Sequence, residues 1–188
     1  MKTTLNEIRK YNPCKDRWEK LLKHLGKTKS DDAPLDFMTI LEDIGIKDTC
    51  WCLRTKDYKD YCLFLADLAE SVLHIYENKY ADDKRPRQAI QAIRNWKQEL
   101  ISDEQLKNYA DAAYAAYANH VVYAANLAAS ANVANVAYVA AYVADSANAY
   151  SAANATIYAA NANDSTAYAA AWNEIEQLFI KHFEVKTL

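Results

Sequence analysis

The sequence predicts an all-α protein, a single-domain helical bundle spanning residues 1–188 with a close-packed, alanine-rich C-terminal half. Three observations carry this expectation. The 188-residue chain has two Gly and three Pro, whereas sheets draw on Gly for their hairpin turns. Hydrophobic residues make up 52% of it, which at this length suits one core better than two. From Ala110 to Ala171 there are 28 alanines in 62 residues, and Ala is the strongest helix former.

The first part, residues 1–107, reads as charged amphipathic helices. Leu5, Ile8, Trp18, Leu21, Leu22 and Leu25 form apolar stripes, broken at Asn12-Pro13. Gly26 and the polar run to Asp32 end that element. Pro34 is expected in the first turn of the next helix, which carries Leu35, Phe37, Met38, Ile40 and Leu41 and is closed by Gly45. A short helix is expected around Cys50–Arg54, and a long one from about Tyr58 to Asn78. Pro86 starts another, through Ile90, Ile93 and Trp96. Ser102 followed three residues later by Gln105 is a capping-box start.

The second part, residues 108–188, is rich in Ala, Tyr and Asn. Alanines recur at helical steps: Ala124, Ala128, Ala131; Ala137, Ala141, Ala144; Ala152, Ala155, Ala159, Ala162. Small side chains let helix axes approach closely. An unbroken helix from Asp103 to Ala144 would run roughly 60 Å at 1.5 Å per residue. Turns are therefore expected at Ser130–Asn132, Asp145–Asn148 and Asn161–Ser165. Plentiful aromatics and low charge argue against disorder.

Charge is unevenly spread. Residues 1–107 hold 20 Lys/Arg against 19 Asp/Glu, and residues 108–188 hold 2 against 6. A formal net charge of −3 disfavours nucleic acid as a partner. No window of about 20 residues is apolar enough for a membrane span. The N-terminal residues lack a signal-peptide pattern, so a cytoplasmic location is expected. Cys14, Cys50, Cys52 and Cys62 then read as buried free thiols, since a zinc site would want a second paired cluster.

Candidate chemistry is sparse. Asp67, Glu70, His74 and Glu77 share one helix face by spacing. They read either as metal ligands, making a metal-dependent enzyme the remote alternative, or as a salt-bridged face. Arg54, Arg85, Arg87 and Arg94 can fork onto such carboxylates. No nucleotide-cradling Gly-rich loop and no G-x-S-x-G is present, so no catalytic residue and no cofactor is assigned. His120 interrupts the uncharged half, and Tyr114, Tyr117, Tyr138 and Tyr142 accompany it. With Arg85 and Arg87 these are the candidate binding residues, because Tyr presents a large ring with a polar tip.

Three stretches then carry a resemblance. They are Gly45-Ile46-Lys47-Asp48-Thr49-Cys50-Trp51-Cys52-Leu53-Arg54, Ala66-Asp67-Leu68-Ala69-Glu70-Ser71-Val72-Leu73, and Asp82-Asp83-Lys84-Arg85-Pro86-Arg87-Gln88-Ala89-Ile90. With Ile101-Ser102 and the alanine-rich tail, the chain resembles a bacterial and phage family of immunity proteins associated with polymorphic toxin systems, over roughly residues 35–172. The resemblance implies a small intracellular helical protein that protects its cell by binding a toxin, without a known catalytic site. It carries over Trp51, Arg54, Asp67, Glu70, Arg85, Pro86 and Arg87, most of them expected to be architectural, with Trp51, Arg54, Asp67 and Glu70 as a structural network. The family's tail is dotted with charge, and the Tyr/Asn-rich form here is where a partner is expected to be chosen. The expected function is an inhibitor that neutralises a toxin or a defence effector by direct binding. The alternative is a phage-borne anti-defence protein that sequesters a small ligand or nucleotide signal.

Overall fold

The computed structural model describes residues 1–124, 138–144, 149–159 and 165–184. It is an all-α bundle with one two-stranded ribbon. Strand β1 (Lys2–Thr3) pairs antiparallel with β2 (Leu35–Asp36), Lys2 opposite Asp36. The helices are α1 (Leu5–Arg9), α2 (Lys15–His24), α3 (Phe37–Ile44), α4 (Ile46–Cys52), α5 (Tyr58–Glu77), α6 (Arg85–Lys97) and α7 (Asp103–Ala124). A helical stretch at 138–144, here α8, then α9 (Ala149–Ala159) and α10 (Ser165–Phe183) follow.

Local chemistry accounts for most boundaries. Thr4 and Glu7 form a capping box on α1, with Glu7 N donating to Thr4 Oγ1 at 3.1 Å and Thr4 N to Glu7 Oε2 at 3.2 Å. Asn12, at a φ of 51°, turns the chain between α1 and α2 where the break was expected. Ser102 and Gln105 make the anticipated capping box, at 3.2 and 2.9 Å. Pro86 sits in the first turn of α6 as expected.

Two boundaries differ from the sequence reading. Pro34 is not in a helix turn: it precedes β2, and Leu35 pairs with Thr3. Asp36 caps the helix instead, accepting from Met38 N at 2.9 Å, so α3 begins at Phe37. The short helix begins at Ile46, not near Cys50, because Gly45 at a φ of 82° ends α3 and starts α4 in one residue.

α5 is the central helix. It packs against α6, α9 and α10, and α7 lies along α6. Tyr61, Phe64, Leu65, Leu68 and Tyr76 on α5 are fully buried. Burying each such side chain contributes about 1.5–3 kcal/mol. Phe64 meets Phe179 edge-on at 5.5 Å, and Phe179 meets Phe183 at 4.5 Å, which seats α10 on α5. The hydroxyl of Tyr58 donates to the carbonyl of Val143, tying α5 to α8.

One face of the alanine pattern is a core face, while Ala115 and Ala118 on α7 and Ala169 and Ala170 on α10 are exposed. Ala110, Ala113 and Ala116 on α7, Ala140, Ala141 and Ala144 on α8, and Ala149, Ala152 and Ala153 on α9 are buried. The expected turns lie mainly outside the described residues. Ser165, at the end of the last of them, is the first residue of α10. Cys50, Cys52 and Cys62 are buried thiols, but Cys14 is exposed at the N-terminus of α2, a correction to the expectation. Among the described residues, no helix is long and apolar enough to cross a membrane.

Candidate functional site

Tyr114 and Tyr117 stand one helical turn apart on α7, and Tyr138 and Tyr142 one turn apart on α8. The fold brings the two pairs together. Tyr138 is the hub, 6.0 Å from Tyr114, 5.3 Å from Tyr117 and 5.6 Å from Tyr142, the last stacked at 26°. All four are half-buried, so each ring keeps a solvent-facing part. Burial, with Tyr142 and Tyr117 alongside, pushes the Tyr138 phenol above its ordinary pKa. The Tyr138 hydroxyl therefore stays neutral at physiological pH and can donate. The side chain of His120 lies outside the described residues.

The acidic face of α5 is a salt-bridge ladder. Arg94 of α6 reaches Asp67 at 2.8 Å and Glu70 at 2.5 Å. Arg87 forks onto Glu77, Nε to Oε1 at 2.6 Å and Nη2 to Oε2 at 2.5 Å. His182 Nε2 and Lys181 Nζ, both from α10, come to Asp67 Oδ2 at 3.0 and 3.2 Å. Burial opposes charge on Asp67, but Arg94, His182 and Lys181 outweigh it and hold the carboxyl below its usual range. His74 points its Nδ1 at the carbonyl of Ser71, 3.1 Å away, rather than joining the acids. Among the described residues, no group of three or more His, Cys, Asp or Glu is placed to hold a metal.

Arg85 belongs to a separate cluster. It forks onto Asp83 at 2.9 and 2.6 Å, and Asp83 also accepts from the Tyr76 hydroxyl at 2.7 Å. Arg85 and Arg87, expected as binding residues, thus both hold carboxylates of this chain. Among the described residues, no hydrogen bond or ion pair joins Trp51 or Arg54 to Asp67 or Glu70. The Arg54 guanidinium lies 4.1 Å above the Trp51 ring, and its Nε donates to the Trp51 carbonyl at 2.9 Å.

Trp51 also walls a cleft of about 260 Å³ with Trp18, Ile8, Ile44 and Asp48. Burial pushes the Asp48 carboxyl above its usual pKa, partly offset by Arg17, Lys20 and Lys47. Trp18 and Asp48 were not singled out from the sequence. The signal available was a tryptophan on an otherwise strongly charged helix.

A family profile, the Imm-5 like putative immunity protein, matches residues 52–179. The chain belongs to this immunity family. The match takes in the Arg54, Asp67/Glu70 and Arg85–Arg87 positions and the tyrosine cluster, and begins one residue after Trp51. It confirms the resemblance read from the sequence. Neither a curated protein nor a solved structure matches the chain. The matched part thus runs from α5 into α10, with α1, α2, α3 and all of α4 but Cys52 outside it.

Proposed function

We propose that this immunity-family protein acts without catalysis, as a cytoplasmic inhibitor that binds a protein toxin or defence effector and blocks it. The observation that carries the reading is the cluster of Tyr114, Tyr117, Tyr138 and Tyr142 on α7 and α8. Half-buried tyrosines supply large contact area, and their positions are already fixed by one another. Their hydroxyls supply direction, and the surrounding sequence has almost no charge to desolvate. A small anionic ligand held by Arg85 and Arg87 is less favoured, because it would have to displace Asp83 and Glu77 from both guanidiniums.

The test is co-expression with candidate toxins of polymorphic toxin systems, read as rescue of growth and as a complex in size-exclusion chromatography. The expected result is rescue with a stable complex, weakened at least tenfold by Tyr138→Ala or Tyr142→Ala. Rescue without a complex, or with degradation of the toxin's substrate reversed catalytically, overturns the inhibitor reading.

A further inference from the structure

We propose that the tryptophan-lined trench along α2, α4 and α10 is a second docking surface, taking an acidic, apolar-studded segment of a protein partner. The trench is a series of clefts with shared walls. Trp18 separates the Trp51 cleft from one bounded by Arg9 and Lys15. Arg17, Ile44 and Asp48 separate it from another, of about 370 Å³, that runs on to Lys47, Tyr168 and Trp172. Trp18 and Trp51 are half-buried and Trp172 is 5% exposed, so the rings are held as walls and floor.

The charges of this trench are arranged unlike those of the α5–α6 face. There, Arg85, Arg87 and Arg94 each hold a carboxylate. Here Arg17 pairs with Asp48 at 3.1 Å and Lys15 with Glu19 at 3.8 Å, but three other cations rest on rings. Arg9 lies 5.9 Å from Trp18, Arg54 4.1 Å from Trp51, and Lys47 4.5 Å from Tyr168 and 5.1 Å from Trp172. Among the described residues, no carboxylate comes within 4.0 Å of any of the three. Lys47 gives one donor to the Tyr168 hydroxyl at 3.0 Å and Arg54 gives its Nε to the Trp51 carbonyl, and a ring contact leaves the remaining N–H donors available for an incoming acid. Residues 1–25 hold seven Lys/Arg against three Asp/Glu in a chain whose net charge is −3. The complementary partner is therefore acidic.

Two features select a polypeptide over nucleic acid. Each ring carries one of the chain's own cations over one face, which leaves no ring open on both faces for bases to stack along. Asp48 and Glu176 on the trench walls would repel a continuous run of phosphates, whereas acidic side chains spaced by apolar ones can pass them. Side-chain-sized clefts between tryptophans suit the apolar residues of such a segment.

The inference rests on the reading that the partner is a protein, but its test needs no toxin, so either can fail alone. Random dodecapeptides displayed on phage are selected on the full chain, and synthetic winners are titrated by tryptophan fluorescence. The expected winners carry Asp/Glu interleaved with Leu, Phe or Trp, and bind saturably. Arg9→Glu with Lys47→Glu should weaken them at least tenfold, and Arg9→Gln with Lys47→Gln less, with helicity and Tm unchanged. Lys107→Glu, on the exposed side of α7, should leave them unaffected. Winners that are neutral or basic, acidic winners indifferent to the charge reversals, or equal binding of a single-stranded DNA 12-mer would overturn the proposal.

Discussion

Arg94 Nη2 lies 2.8 Å from Asp67 Oδ1, and this pair joins α6 to the central helix at a position only about one-fifth to one-quarter exposed. Asp67 is at the same time the point where α10 is tied down, through His182 and Lys181. Three helices therefore meet at one carboxylate. Substituting Arg94→Ala should destabilise the fold by about 1–3 kcal/mol, because a half-buried charge loses its main partner. Thermal unfolding should show a drop of several degrees. Asp67→Asn in the Arg94→Ala background should cost less than the sum of the two, and strict additivity would mean that the pair is not coupled.

Acid sensitivity follows from the same ladder. Asp67 is held below its ordinary pKa against the cost of burial, and Glu77 is lowered chiefly by the Arg87 hydrogen bonds. A carboxyl with a depressed folded pKa contributes stability that is full above its unfolded value, about 4, and is lost as pH falls through the folded value. Asp48 runs the other way, since its carboxyl is raised by burial and its cost fades on acidification. Urea midpoints should fall between pH 5 and pH 3, and Asp67→Asn should flatten that fall, whereas Asp48→Asn should not.

The thiols should divide cleanly. Burial pushes Cys52 up to about 12 and Cys50 and Cys62 upward as well, while Cys14 is exposed. The thiolate is the reactive form. At pH 8 a disulfide reagent such as Ellman's should label one thiol quickly in the native protein and the other three only after denaturation. Fast labelling of Cys14→Ser protein would contradict the described burial.

The tyrosine hub has a spectroscopic signature. Tyr138 is raised above its ordinary value by burial and by its neighbours Tyr142 and Tyr117. Burial raises Tyr61 and Tyr76 as well, so an alkaline titration followed at 295 nm should show several late-ionising tyrosines, and one fewer in Tyr138→Phe. That variant should remain as stable as the parent to within about 1 kcal/mol, because the ring contacts persist and only a hydroxyl is lost.

Tyr58 links the charged and alanine-rich halves by donating to the Val143 carbonyl. Tyr58→Phe should lower stability by about 0.5–1.5 kcal/mol. Hydrogen exchange should rise within α8 more than within α6. A uniform rise would place the effect elsewhere than in this link.

Several features were legible in the residues alone because they depend on near neighbours in the chain. The poverty in Gly, the alanine run and the cap at Ser102 depend on helix propensity and hydrogen bonds within one turn, and these predict the all-α class and many of its boundaries. The three stretches that carried the family resemblance were noticeable for the same reason, being contiguous strings. Where a distant strand intervened, local reading failed: β1 claimed Leu35 and moved the start of α3 past Pro34. Cys14 failed likewise, because nothing in its neighbours reveals that the N-terminus of α2 lies at the surface.

The partners of the charged residues belong to the tertiary structure. Spacing put Asp67, Glu70 and Glu77 on one face, but only packing gave Arg94 to the first two and Arg87 to the third. Trp51 and Arg54 looked like members of that network and instead stack on each other beside the trench. Tyr117 and Tyr138 are far apart in sequence and meet at 5.3 Å because α7 and α8 fold together. The physical reason is range. A helix is decided by bonds four residues long, whereas an ion pair or a ring contact is decided by which helices share a core.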